Sequence, residues 1–176
     1  TGNSAAQTIN GGSGDDIFNY TVQSQLVTGG HFVDSIDGGN GSDTINLSSA
    51  VNAFAIAVTD SWAGVSNIEK ITAMPSSNAY SITVNDDISS AGVSSIDLSG
   101  DSVAGGANVV DVSNDTNGSL ITTIIGSAGN DTITGNSIAQ TLNGGDGDDT
   151  FKYTIPSSLI SGGAFVDSIV GGAGGV

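Results

Sequence analysis

The 176-residue sequence has no cysteine, no arginine, two prolines and only two lysines, Lys70 and Lys152. Without cysteine no disulfide can staple the chain, and no thiolate can hold a metal or attack a substrate. Two cations against 17 Asp and the single Glu69 leave a net charge of −16. That charge excludes nucleic acid as a partner, because its phosphates would be repelled. No apolar run approaches the length of a membrane span or a signal-peptide core, so no membrane insertion is expected. Aromatic residues make up 5% of the chain, too few for an ordinary globular core. The apolar residues that remain are Ile, Val and Leu in short runs between turn formers, which suits short buried strands. No window carries a 3.6-residue apolar period, and no helix of useful length is expected.

What is present in quantity is Gly, Ser, Thr, Asn and Asp, ordered at three scales. Residues 1–43 align with 134–176 without a gap, identical at 28 of 43 positions, so a 133-residue unit starts again at Thr134. Both ends of the chain therefore read as cuts in a tandem pattern. Blocks of nine begin at Gly2, Gly11, Tyr20, Gly29 and Gly38, and again at Gly126, Gly135, Gly144, Tyr153, Gly162 and Gly171. In the middle the period is 14: Phe54, Ile68, Ile82, Ile96, Val110 and Ile124, with Asp87, Asp101 and Asp115 marking one turn at the same spacing. Inward and outward side chains alternating between regularly spaced turns describe a coil of a solenoid.

The blocks GGSGDDIFN, GGNGSDTIN and GGDGDDTFK fit G-G-x-G-x-D-x-U-x, where U is a large apolar residue. In these two regions the chain resembles the RTX (repeats-in-toxin) family of calcium-binding nonapeptide repeats. The resemblance implies an all-β fold, a right-handed parallel β-roll or β-solenoid in which each nonapeptide is a turn followed by a short strand. It further implies that two nonapeptides close one coil and that Ca²⁺ lies between turns separated by two blocks, an 18-residue rule. Glycine suits such turns because it adopts positive φ, and Asp supplies a short, hard oxygen ligand. Three segments follow: a nonapeptide roll at 1–46, a wider solenoid of 14-residue period at 47–125, and a second roll at 126–176.

Carrying the family's ligand pattern over, the 18-residue rule joins Gly12, Gly14 and Asp16 to Gly29, His31 and Asp34. It joins Ser127, Gly129 and Asp131 to Gly144, Asp146 and Asp149, and Gly145, Gly147 and Asp149 to Gly162, Ala164 and Asp167. Only the Asp side chains are specific ligands; the other residues would offer backbone oxygen. Asp131, Asp149 and Asp167 then share one edge, as do Asp16 and Asp34. The other edge carries Gln7, Gln25, Gln140 and Ser158, with Asp43 its one carboxylate, and is expected to be poor in metal. Phe32 and Phe165 replace the fourth-position glycine and weaken their turns, and Val176 stands where Asp43 stood, so no site is expected there. Asp86, Asp87, Asp101 and Asp115 fit turn chemistry better than calcium.

The only histidine, His31, has Ala164 as its repeat counterpart, and no nucleophile elbow is present. The chain is accordingly expected not to be an enzyme. The reading that fits is a calcium-binding structural repeat of a large secreted or surface-attached bacterial protein of adhesin, surface-layer or biofilm-matrix type. Calcium ions and neighbouring copies, stacked head to tail, are its expected partners. The alternative is the calcium-binding C-terminal region of a toxin, protease or lipase exported by type I secretion.

Overall fold

The computed structural model describes residues 2–48, 53–104 and 106–174. The first coil holds β1 (Thr8–Ser13), β2 (Ile17–Tyr20), the short helix α1 (Gln23–Leu26) and an antiparallel hairpin of β3 (Val27–Thr28) and β4 (His31–Phe32). The second holds β5 (Ser35–Asn40), β6 (Thr44–Leu47) and β7 (Phe54–Ile56). The third holds β8 (Val65–Ser66), β9 (Lys70–Ala73) and β10 (Tyr80–Asn85). The fourth replaces its first strand by α2 (Asp87–Ala91), followed by β11 (Ser95–Asp97) and β12 (Val109–Asn114). Then come β13 (Thr123–Ile125), β14 (Thr132–Thr134), β15 (Thr141–Asn143) and β16 (Thr150–Lys152). Helix α3 (Pro156–Leu159), a second hairpin of β17 (Ile160–Ser161) and β18 (Ala164–Phe165), and β19 (Ser168–Val170) complete the described chain.

Apart from the two hairpins every strand pairing is parallel, and the whole is an all-β solenoid of about six turns. Alternation along each strand sends one side chain in and the next out, as in Tyr80–Asn85, where buried and half-buried residues alternate. The inward residues pair from coil to coil and build columns. One column runs Phe18, Ile45, Ile71, Ile96, Ile124, Leu142 and Ile169 through the seven-stranded sheet. A second runs Ile56, Ile82, Val110, Ile133 and Phe151 through the five-stranded sheet. A third, Ile9, Ile36 and Val65, exists only in the first three coils. Each fully buried member contributes on the order of 1.5–3 kcal/mol, so the columns hold the coil together.

Neighbours in the seven-stranded column stand three blocks of nine apart, or within two positions of that, except Ile124 and Leu142, which stand two blocks apart. The 14-residue period is thus half a coil: Ile82 pairs with Val110 in one sheet and Ile96 with Ile124 in the other. The 18-residue coil expected of the nonapeptide segments holds at β13–β15 and β14–β16 and is corrected at β1–β5, β2–β6 and β15–β19, where partners stand 27 residues apart. The cause is visible in the block beginning at Tyr20, which has no glycine turn. Its residues fold as α1 and run on into the hairpin, whose tip is Gly29 and Gly30 at φ +60° and +81°. A coil that contains this block needs three nonapeptides, and the block at Tyr153 repeats the excursion with α3 and the second hairpin.

The repeat also changes face. Strands β1 and β2 lie in the three- and seven-stranded sheets, whereas their counterparts in the second copy, β15 and β16, lie in the seven- and five-stranded sheets. The sheets cross both segment limits, since β6 pairs with β9 and β13 with β15. Val176 lies outside the described residues.

Candidate metal centre

Six strands are approached through an acidic residue whose side chain accepts the backbone N–H of its equivalent one coil earlier. Asp43 Oδ1 accepts from Asp16 N at 2.8 Å, and Glu69 Oε2 accepts from Asp43 N at 2.7 Å. Asp34 Oδ1 accepts from Gln7 N at 3.0 Å, and Asp167 Oδ1 from Gln140 N at 2.8 Å. Asp131 Oδ1 accepts from Asn108 N at 2.8 Å, and Asp149 Oδ1 from Asp131 N at 2.9 Å. The sixth-position Asp is therefore first a structural tie between coils. What distinguishes these residues is the fate of the other oxygen.

In Asp16, Asp43 and Asp149 the Oδ2 atom is buried and has no hydrogen-bond partner. A buried, unpartnered anionic oxygen is costly, so something must compensate it. Each lies over the first-position glycine of its own turn. A Cβ on Gly11 would come within 2.7 Å of Asp16 Oδ2, one on Gly38 within 2.6 Å of Asp43 Oδ2, and one on Gly144 would collide with Asp149 Oδ2. The turns stack closely: a Cβ on Gly39 or Gly41 would run into the carbonyl of Gly12 or Gly14. On the second stack, Ser127 O and Gly129 O abut Gly145 and Gly147 in the same way, and Gly144 O abuts Gly126. Glycine is required here twice, for the missing Cβ and for φ near +100° at Gly12, Gly14, Gly39, Gly145 and Gly147.

Asp34 and Asp167 end differently. Tyr20 OH donates to Asp34 Oδ2 at 2.8 Å, and its repeat counterpart Tyr153 OH donates to Asp167 Oδ2 at 2.6 Å. Both carboxylates are thus fully engaged by protein donors. Burial pushes both phenols well above the usual tyrosine range, with the adjacent carboxylate adding to the shift, so they stay protonated and donating. Asp131 is also occupied: Ser127 N and Ser127 Oγ donate to it, and burial pushes its carboxyl up from the usual range.

The pairing of the turns at 11–16 and 29–34 is therefore corrected. The turn of Gly12, Gly14 and Asp16 stacks on 38–43, with Gly14 N donating to Asn40 O at 2.8 Å. Gly29 and His31 lie in the hairpin and do not meet Asp16; His31 bridges to Ser61 instead. The turns at 126–131 and 144–149 do stack, with Asp146 N donating to Ser127 O at 2.9 Å. The third grouping is corrected in the same way as the first. Gly145 and Gly147 face 171–174, with Gly144 N donating to Val170 O and Ala173 N to Gly145 O. Gly162 and Ala164 belong to the second hairpin, and Asp167 sits against Gln140. The edges sort accordingly: Asp34 and Asp167 share theirs with Gln7 and Gln140, while Asp43 joins Asp16.

Among the described residues no three His, Asp or Glu side chains form a group able to hold a metal. The stacked turns offer a different donor set, one or two carboxylates together with backbone carbonyls, which suits a hard cation of high coordination number. Sequence reasoning missed Glu69, Tyr20, Tyr153 and the Gly38–Asp43 turn as the partner of Asp16. The signal available was tyrosine in place of glycine at the start of two blocks. In the middle segment Asp101 accepts from Ser76 N and Asn108 Nδ2, and Asp86 accepts from Thr116 and Asn117. Asp115 keeps one buried oxygen without a partner.

A family model described as the RTX calcium-binding nonapeptide repeat, in four copies, matches residues 1–19, 26–49 and 116–151. No curated protein and no solved structure matches the chain.

Proposed function

We propose, from the match of the nonapeptide segments to the RTX calcium-binding repeat, that the chain is a calcium-locked structural repeat of a secreted or cell-surface protein. The observation that carries the proposal is the set of three buried, unpartnered oxygens on Asp16, Asp43 and Asp149 inside stacked glycine turns. Two sites follow. One lies between Gly12, Gly14, Asp16 and Gly38, Asn40, Asp43; the other lies between Ser127, Gly129 and Gly144, Asp146, Asp149, with Asp131, already held by Ser127, adding its charge beside it. Bound calcium supplies positive charge between carboxylates that otherwise repel one another. The chain's part is to bring two turns into register through the apolar columns and the Asp-to-amide ties, so that carbonyl and carboxylate oxygens converge.

A chain of charge −16 resists collapse where calcium is scarce and gains stability by mass action where it is abundant. That asymmetry suits export as a loose chain, by a type I route, followed by folding outside the cell. The copied 133-residue unit supports an adhesin, surface-layer or biofilm-matrix setting over a toxin's C-terminal region, because repetition gives length and display. Among the described residues no helix is long and apolar enough to cross a membrane. Circular dichroism and melting with calcium and with chelator test the reading. The strand signal should be stronger and the melting temperature higher with calcium than with chelator, and curves that superimpose would reject it.

A further inference from the structure

The chain contains the same motif twice, once covered and once bare. Phe32 is 8% exposed and its counterpart Phe165 is 69% exposed; Ile36 is fully buried and Ile169 is 39% exposed. Val27 is buried whereas Ile160 is exposed, and Ile155 and Val170 add to the bare apolar surface. In the first copy the cover is the next coil. Trp62 packs on Phe32 with ring centroids 4.5 Å apart, and Ser61 N donates to Gly30 O at the hairpin tip. Val65 pairs with Ile36, β6 pairs with β2, and Gln23 of α1 exchanges hydrogen bonds with Ala55 of β7.

The second copy holds the same seat ready. Its hairpin keeps the register, Ile160 opposite Phe165 as Val27 is opposite Phe32. Val166 N donates to Leu159 O at 2.9 Å, as Val33 N donates to Leu26 O at 2.8 Å. The Tyr153–Asp167 bond reproduces Tyr20–Asp34. Strand β16, the counterpart of β2, is the outermost strand of its sheet, a parallel edge open to one more strand.

We infer that the face formed by β16, α3 and the β17–β18 hairpin is a preformed docking surface for one more coil with the sequence of residues 44–66. That coil adds a parallel strand to β16 and lays an indole against Phe165. Its source is a further copy of the repeat unit, since residues 44–66 are what covers the same seat in the first copy. The inference uses the repeat-module reading only for the register, because the surface is apolar and its carboxylate is held by tyrosine rather than metal.

The test is the full chain with a second copy of residues 44–66 joined after Val176, compared with the unextended chain in calcium. Hydrogen exchange should show the amides of 150–165 rising to the protection of 17–32, and the melting temperature should rise by about 4 °C or more. Replacing the appended copy's tryptophan with serine, or Phe165→Ser in the extended chain, should remove most of both gains. Phe165→Ser in the unextended chain should change little, because that side chain is bare. Unchanged exchange at 150–165 in an extended chain that still folds with calcium overturns the docking surface and leaves the calcium reading intact. An unextended chain already protected there by self-association also overturns it.

Discussion

Asp16 and Asp34 occupy the same position of their nonapeptides, yet they end in opposite states. Asp16 keeps an oxygen buried and unpartnered beneath a glycine turn; the second oxygen of Asp34 accepts from Tyr20 OH. The second copy repeats the contrast with Asp149 and Asp167. The difference lies in the block that begins with tyrosine. Its side chain reaches the Asp that follows the hairpin, and its backbone leaves the solenoid for a helix turn and the hairpin itself. On the reading proposed above, one fold fastens its corners in two ways, by a cation where the turn is glycine-rich and by a neutral phenol where it is not.

Asp43→Asn should break the first kind of corner with the largest effect. In calcium it removes a ligand charge and should cost about 3 kcal/mol or more, whereas in chelator it relieves a buried, uncompensated charge and should be neutral or stabilising. Urea melts in both conditions read that change of sign. Tyr20→Phe acts on the second kind: it leaves Asp34 Oδ2 without its donor and should cost about 1–3 kcal/mol, equally with calcium and with chelator. A Tyr20→Phe penalty present only in calcium would erase the distinction.

Asp115 sharpens the comparison at a corner that has neither device. Burial, with the charge of Asp86 adding to it, pushes its carboxyl above the usual range. A raised carboxyl favours the folded state below its unfolded value, and that benefit is lost as pH rises through the folded one. In chelator the melting temperature should fall over that rise, with a shallower fall in Asp115→Asn. The smallest effect belongs to the lone described ion pair, Lys70 to Asp97 at 3.0 Å. Lys70→Ala should cost less than about 1 kcal/mol and the loss should shrink in high salt.

Much of this architecture was legible in the residues. The 14-residue spacing of Ile82, Ile96, Val110 and Ile124 marked the inward positions that became the columns, while the pairings show that it spans half a coil rather than a whole one. The coil length was not legible, because the nine-residue count treats Tyr20 and Tyr153 as ordinary block starts. Both divert the chain by one block, which moves Asp16 from Asp34 to Asp43 as its neighbour. The stack of Asp131 on Asp149 was readable because no tyrosine block lies between them. The role of Glu69 was hidden for a similar reason: its separation from Asp43 is not a multiple of nine.

Calorimetric titration of calcium into the chain and into Asp34→Asn and Asp43→Asn tests the two kinds of corner most directly. The account predicts that Asp34→Asn binds as the parent chain does, while Asp43→Asn loses the site at the first stack and keeps the one at Asp149. Equal losses in both variants, or a loss confined to Asp34→Asn, would contradict it.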